Sequence, residues 1–288
     1  MLYPTFFGTV AVVTSLCVAP GAGARAQDLS KYPDWSGQWK TSTNPLAQVA
    51  FGAQWDPDKR AGPTQQAPLT PEYQARFEAN LADQAAGGPG DERHGYCFPL
   101  GMPRMMTVVY PMEIVVMPKT TYILQDNSES RRIFTDGRAW PNEIEPSFAG
   151  LSIGKWGDAD ANGRYATLEV ETRGLRGPRT FESSGIRLHD DGQTIVKERI
   201  YLDKTDKNTL LDEITTIDNA LTRPWTVTKK YARDSNPTPI WHFNECSENN
   251  PLVLIGKEGY YVNAEGFLMP TKKGQQPPDL RYFKSAAK

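Results

Sequence analysis

The stretch from residue 194 to residue 231 is the sequence feature that most constrains the fold. Its polar and apolar residues alternate with a period of two, which is the pattern of half-buried strands. Residues 203–208, rich in Asp, Lys, Thr and Asn, separate the first two alternating segments and have the composition of a turn. The pattern therefore predicts three consecutive antiparallel strands.

Two acids in this stretch are candidates for catalysis. If the turn closes symmetrically, Glu198 faces Glu213 on a largely apolar face, with Cβ atoms about 5 Å apart. Such carboxylates repel unless one holds a proton or both meet cations, and the protonated form of the pair gives one acid and one base. A slip of one residue would place Asp212 on the inner face instead. The structural alternative is a buried salt bridge to an arginine such as Arg223 or Arg132.

Strand-like segments recur through the rest of the chain, with little helical pattern between them. They cover residues 105–110, 113–117, 120–126, 131–135, 151–156, 165–173, 252–255 and 260–263. About ten short strands joined by turns predict an all-β fold, an antiparallel β-barrel or sandwich. A short helical insert is predicted at about residues 68–86, where Thr70 is a suitable N-cap and Pro71 a suitable first helical residue. We expect one domain over residues 27–288.

The N-terminus has the pattern of an export signal. An apolar run over residues 6–18 precedes Ala24-Arg25-Ala26, a typical cleavage pattern. The run is shorter than the roughly 20 apolar residues that span a bilayer. We therefore predict a cleaved signal peptide of residues 1–26, a periplasmic or secreted protein, and no integral membrane segment after cleavage.

Cysteine content and net charge narrow the kinds of site and partner that the chain can have. Removal of the signal leaves Cys97 and Cys246, which we predict to form a disulfide, since the alternative of a metal-binding or catalytic thiol lacks a C-x-x-C motif and the chain has only three histidines. No metal site is therefore predicted. A net charge of -2 gives no reason to expect a nucleic-acid partner. The chain has no P-loop or dinucleotide fingerprint, and we predict no cofactor.

Several arginines and aromatic residues are candidates for ligand binding. Arg132, Arg138 and Trp140 lie in or beside one loop, where guanidinium groups can hold a carboxylate or phosphate and stack on a ring. The alternative is a solvated hairpin end with an internal arginine–aspartate pair, and Asp136 of this loop is also a catalytic candidate. His189 is a candidate general base, although its Leu-His-Asp-Asp-Gly context favours an exposed turn. The other ligand-binding candidates are Arg104, Tyr110, Arg223 and Trp225.

Short motifs in the chain resemble those of a group of exported bacterial proteins that has no assigned activity. The motifs are GMPR at 101–104, TDGRxWP at 135–141, SIGxW at 152–156, LEVET at 168–172, ER at 198–199, TRPWT at 222–226 and CxEN at 246–249. The resemblance spans roughly residues 35–283 and implies export and one continuous domain. Separately, Gly37-Gln38-Trp39 resembles the G-x-W that opens lipocalins, which implies a lipocalin-like or calycin-like barrel.

These observations lead to one functional prediction with two alternatives. We expect an exported protein that binds a small molecule, apolar or aromatic and with or without an anionic group, in a lipocalin-like barrel. The first alternative is a cofactor-independent lyase, isomerase or hydrolase that uses Glu198 and Glu213, with Arg132, Arg138 and Trp140 holding the substrate. The second alternative is a structural envelope protein with a filled core. The sequence does not predict an oligomeric state.

Overall fold

The structure, a computed structural model, describes residues 29–41, 67–91, 93–107, 110–126, 129–158, 163–182, 184–241, 245–248 and 250–278. The predicted signal peptide lies outside the described residues. Within these ranges, no helix is both long enough and apolar enough to cross a membrane.

The described residues form a closed barrel in which every strand pairs with its neighbour in the chain. Strands β1 to β9 run in that order around the barrel, and β1 closes it by pairing with β9. Their bounds are Gln38–Thr41, Met112–Met117, Thr120–Gln125, Arg131–Phe134, Leu151–Asp158, Tyr165–Arg173, Ile195–Leu202, Thr209–Ile217 and Trp225–Arg233. The prediction of an all-β barrel with a short helical insert is confirmed.

One pair of neighbouring strands in the otherwise antiparallel barrel is parallel, and the sequence pattern did not indicate which. In the described barrel β4 and β5 run in the same direction, with Ile133 opposite Ser152. A ring with an odd number of strands cannot alternate direction at every step, so one parallel contact is required. Residues 135–150 make the long return that a parallel pair needs.

The β7–β8 hairpin differs by one residue from the predicted symmetric register. Glu198 lies opposite Ile214, and Glu213 lies opposite Arg199, so the predicted Glu198–Glu213 pairing is wrong. The cause is the turn, where the Asp203 carboxylate accepts hydrogen bonds from the main-chain N–H groups of residues 205 and 206, at 2.8 and 3.0 Å. This turn takes up one residue more than a symmetric closure, and the shift places Asp212 on the inner face and Glu213 outside.

Part of the barrel interior is filled by a segment that we call the plug, residues 100–107. All of its side chains are buried, and Arg104–Met106 form a 3₁₀ turn rather than the start of a predicted strand. The carbonyl groups of Met105 and Met106 accept hydrogen bonds from the side chains of Gln125 on β3 and Tyr231 on β9. The plug is thus joined to inward-facing residues on both sides of the barrel.

A single α-helix is described outside the barrel, and it confirms the predicted insert. Helix α1 spans Pro71–Ala85, with Thr70 as its N-cap accepting a hydrogen bond from the Tyr73 main chain at 3.4 Å. It buries Tyr73 and Phe77, whereas Leu81, which shares a helical face with Phe77 in the sequence pattern, is exposed.

The C-terminal part of the described chain is a small sheet tied to the barrel by a disulfide. Strands β10, β11 and β12 span Leu252–Ile255, Glu258–Val262 and Leu268–Pro270. The predicted disulfide between Cys97 and Cys246 is confirmed. It links the segment that precedes the plug to the segment that precedes this small sheet.

Candidate functional site

The barrel interior contains a buried ion pair between Arg131 on β4 and Glu198 on β7. The guanidinium contacts both carboxylate oxygens, one of them at 2.8 Å. It also donates to the hydroxyl groups of Ser152, at 3.1 Å, and Thr172, at 2.9 Å. The two charged side chains are 1% and 0% exposed. Glu198 is therefore held in a buried salt bridge, the structural alternative, with Arg131 as the partner in place of Arg223 or Arg132.

The sequence pattern placed Arg131 beside Arg132 in the predicted ligand-binding cluster and did not identify it as the partner of Glu198, although the strand pattern contained a signal for that role. In β4 the buried residues are Arg131 and Ile133, whereas Arg132 is exposed. Alternation with a period of two places Arg131 on the same face as the apolar Ile133. An arginine on that face needs a buried partner, and Glu198 was the acid available on an apolar face.

Two further ionisable residues lie inside the barrel on neighbouring strands. Asp212 on β8 is directly opposite Lys229 on β9, and the two residues are 0% and 1% exposed. Burial raises the pKa of Asp212 well above its usual value, and the nearby charge of Glu198 raises it further. Burial lowers the pKa of Lys229 to about 8, against the opposing effect of Glu182 and Asp212. Both groups are thus shifted toward their neutral forms.

The other predicted catalytic residues have partners of their own outside this interior. Glu213 accepts a hydrogen bond from the Tyr201 hydroxyl at 2.6 Å and lies 3.4 Å from Arg199. Asp136 pairs with Arg138, whose hydrogen bonds lower the pKa of the carboxyl to about 2. An acid of that strength is ionised throughout the neutral range, and it is a poor proton acceptor.

His189 lies in a turn, as its sequence context indicates. Its Nδ1 atom accepts a hydrogen bond from the main chain of Asp191 at 3.2 Å, and the Asp191 carboxylate is 3.1 Å away. The imidazole side chain is 37% exposed. Neither Glu198 nor Asp212 contacts this histidine among the described residues, so the structure does not bring the predicted acids and base together.

The predicted Arg132–Arg138–Trp140 cluster is dispersed over separate partners. Arg132 lies over the ring of Tyr122 at 5.8 Å, and Arg138 lies over Phe134 at 3.7 Å. The ring of Trp140 is covered by Arg173 at 4.5 Å. The internal Arg138–Asp136 pair agrees with the alternative of a loop closed by its own ion pair. These side chains do not converge on one ligand position.

The remaining predicted ligand-binding residues also lie apart. Arg104 is buried in the plug and donates to Thr180 at 2.9 Å, and Trp225 is buried against Phe181 with ring centroids 4.4 Å apart. The hydroxyl group of Tyr110 is 3.5 Å from His94 Nε2. Arg223 is exposed on the connection between β8 and β9. Arg104 and Trp225 are therefore part of the packed interior.

A groove of about 830 Å³ runs along strands β5 to β8 and is lined mainly by their outward-facing residues, with Trp156 and Val170 of the core at its edge. Two residues predicted from the sequence, Arg138 and Glu213, line it, and Glu198 borders it although its own side chain is fully buried. The other lining residues are Tyr32, Pro118, Thr135, Gly137, Ile153, Gly154, Lys155, Trp156, Tyr165, Glu169, Val170, Glu171, Lys197, Arg199 and Thr215.

One part of the groove is formed by three aromatic rings. The ring centroid of Tyr32 is 5.3 Å from that of Trp156 and 5.0 Å from that of Tyr165. Burial raises the pKa of the Tyr32 hydroxyl, and the neighbouring Tyr165 adds to this shift. Tyr32 is thus an uncharged aromatic surface at neutral pH.

Charges alternate across the strands that form the floor of the groove. Opposed residues give the row Lys155, Glu169, Arg199 and Glu213, in which Arg199 and Glu213 are 3.4 Å apart. Within the part of the chain that the structure describes, the side chain of Lys155 forms no hydrogen bond or ion pair, even with the side chain of the opposing Glu169. Lys155 is exposed and is the cation most available to a ligand.

Neither similarity to known proteins nor a metal-binding arrangement of side chains assigns a function to this site. No protein family, curated protein or solved structure gives a significant match to the chain. The described residues contain no group of three His, Cys, Asp or Glu residues placed to hold a metal ion.

Proposed function

We propose that this protein is an exported small-molecule-binding protein with a lipocalin-like barrel, and that its ligand binds in the outer groove of β5 to β8. The observation that carries the proposal is the groove itself, which joins an aromatic cluster to the available cation of Lys155. Its volume of about 830 Å³ is within the range of about 300–1,000 Å³ that is usual for ligand pockets.

The outer face is favoured over the barrel interior because much of the interior is already occupied. The plug contributes Met102, Met105 and Met106, each no more than 1% exposed. The Arg131–Glu198 pair and its hydroxyl partners fill a further region. A ligand in these places would have to displace packed side chains or break a buried ion pair.

The chemistry of the groove favours an aromatic or apolar molecule that carries one anionic group. Tyr32 and Tyr165 offer rings on which a second ring can stack. Lys155 offers an ammonium group that has no partner among the described residues and can bind a carboxylate. Arg138 and Arg199 already pair with Asp136 and Glu213, so their charges are less available.

Export is supported by the disulfide, which is compatible with an oxidising compartment. It agrees with the signal peptide predicted for residues 1–26. The positions of Glu198 and Glu213 also favour binding over catalysis. The enzyme alternative depended on a Glu198–Glu213 couple, and the register separates those side chains onto opposite faces of the sheet.

Isothermal titration calorimetry of the signal-free protein tests the proposal. The panel contains 3-phenylpropionate, its uncharged amide and propionate, which separate the contributions of the ring and the charge. We expect the aromatic carboxylate to bind best, and Lys155→Gln to weaken its binding at least about tenfold, the equivalent of a 1.4 kcal/mol interaction.

Lys204→Gln, in the exposed β7–β8 turn, is the matched control and should bind like the wild type. Equal affinity of the wild type and Lys155→Gln for the aromatic carboxylate would contradict a site at Lys155. Preference for the amide over the carboxylate would contradict the anionic class of ligand.

A further inference from the structure

Asp212 and Lys229 form a buried ionisable couple that the proposed ligand groove does not use. They are directly opposed on β8 and β9 and both are fully or almost fully buried, so their Cβ atoms lie about 5 Å apart. Neither oxygen of Asp212 has a hydrogen-bond partner among the described residues. The Lys229 ammonium likewise makes no hydrogen bond or ion pair within those residues.

Buried polar groups are nearly always hydrogen-bonded, and an unpaired buried charge is costly. Other polar groups near Asp212 already have partners. Arg131 binds Glu198 through two contacts, and the Tyr231 hydroxyl donates to the plug. Unlike Arg131 and Glu198, the side chains of Asp212 and Lys229 have no hydrogen bond or ion pair among the described residues to stabilise their charged forms.

The groups that face the couple come from several elements. Asp212 is influenced, in decreasing order, by Glu198 on β7, Arg131 on β4, Glu213 on its own strand and Lys229 on β9. Tyr231 on β9 in turn responds to Asp212. Lys229 is influenced by Asp212 and by Glu182, which lies in the connection between β6 and β7 and binds Ser184. Burial is the main cause that favours the protonated form of Asp212, and the charge of Glu198 adds to it.

We propose that Asp212 and Lys229 are a proton-operated couple inside the barrel, whose burial weakens the closure of β8 onto β9 in the pH range in which an exposed aspartate and an exposed lysine are both charged. Losing the proton of Asp212 places a negative charge at a buried position where the described residues supply no hydrogen bond to it. Losing the proton of Lys229 removes a buried positive charge. The couple therefore links the stability of the barrel to the pH of the medium, a property separate from ligand binding in the groove.

The direction of the linkage follows from the two folded-state shifts. The pKa of Asp212 is raised on folding, so its contribution to stability is fully present below the usual value of 3.8 and is lost as pH rises through the folded-state value. The pKa of Lys229 falls from 10.5 to about 8, so its contribution to stability recovers between those two pH values. That recovery corresponds to a change in the unfolding constant of up to about 300-fold.

Urea unfolding of the full signal-free protein at pH values from 4 to 10.5 tests this couple. The Asp212→Asn variant, which lacks the buried carboxyl, should not lose stability as pH rises above 4. The Lys229→Met variant should not gain stability as pH rises above 8. The matched controls are Glu169→Gln, an exposed acid on the outward face of β6, and Lys204→Met in the exposed turn. Both controls should keep the wild-type pH profile in these windows.

Profiles of Asp212→Asn and Lys229→Met that parallel the wild type would overturn the proposal. If a variant does not fold, carboxyl-carbon NMR of the wild type gives an independent answer. An Asp212 carboxyl that titrates well above its usual pKa supports the couple, and one that titrates at or below that value overturns it.

Discussion

Arg131 and Glu198 form a two-point ion pair across the barrel interior, and two hydroxyl groups complete the contacts of the guanidinium. The Ser152 and Thr172 hydroxyl groups lie 2.8 Å apart and both accept from Arg131. Strands β4, β5, β6 and β7 therefore each contribute one residue to the same buried cluster. The ion pair therefore holds β4, which precedes the return segment of residues 135–150, against β7, which follows it.

Removing one member of this pair should be strongly destabilising. Arg131→Met leaves the Glu198 carboxylate buried without its cation, and we expect a loss of about 3–5 kcal/mol in the free energy of unfolding. The double variant Arg131→Met/Glu198→Leu should recover most of that loss, because no unpaired charge remains. Urea unfolding of both variants measures the difference. A single variant as stable as the wild type would show that the pair contributes little.

The plug should behave as part of the hydrophobic core. Met105 is fully buried, so Met105→Ala should cost about 2–5 kcal/mol through lost contacts and a residual cavity. Met117, which is 37% exposed at the end of β2, is the matched control, and its alanine variant should change stability by no more than about 0.5 kcal/mol. Thermal unfolding followed by tryptophan fluorescence compares the two. Equal effects would contradict the placement of residues 100–107 inside the barrel.

The disulfide should stabilise the protein mainly by restricting the unfolded chain. Cys97 and Cys246 are separated by 149 positions, for which the chain-entropy relation gives an upper value of about 5 kcal/mol. We expect Cys97→Ser/Cys246→Ser to lower the melting temperature while the β-rich circular dichroism spectrum persists. Treatment of the wild type with a reductant should reproduce the shift, and the double variant should then be insensitive to the reductant. A double variant that melts like the wild type would contradict this account.

The β7–β8 turn should weaken in strong acid. Hydrogen bonds from residues 205 and 206 lower the pKa of Asp203 to about 2, from a usual value of 3.8. Its contribution is therefore present above pH 3.8 and is lost as pH falls through about 2. Carboxyl-carbon NMR should show this low midpoint, and the amide signals of residues 205 and 206 should move with it. A midpoint near 3.8 would show that the turn does not depend on the ionised carboxylate.

Residue alternation was sufficient to predict the barrel, but the exact strand pairing depended on the turn. The pattern from 194 to 231 placed β7, β8 and β9 correctly, and Thr70 with Pro71 marked the start of α1. Whether Asp212 or Glu213 faces the interior depended on the number of residues in the turn, which differs by one between the two registers. The side-chain hydrogen bonds of Asp203 decided it, and they have no periodic signature in the sequence.

Two other features depended on contacts between distant segments. The plug resembles a strand in composition, and its conformation reflects hydrogen bonds to Gln125 and Tyr231. The outer groove combines Tyr32, from the segment before β1, with Lys155 on β5 and Arg138 on the return segment. Local patterns identified Arg138 as a ligand-binding candidate, whereas its place beside Lys155 required the parallel β4–β5 step.

The most direct test of the proposed function is an NMR titration of isotope-labelled, signal-free protein with 3-phenylpropionate. We expect saturable shifts at Tyr32, Lys155 and Tyr165, and we expect the Lys155 shifts to be lost with the uncharged amide of the same compound. Signals of Asp212 and Lys229 should stay in place, because they lie inside the barrel. Saturable shifts confined to the interior, or no saturable shift with the aromatic carboxylate, would contradict a binding site in the outer groove.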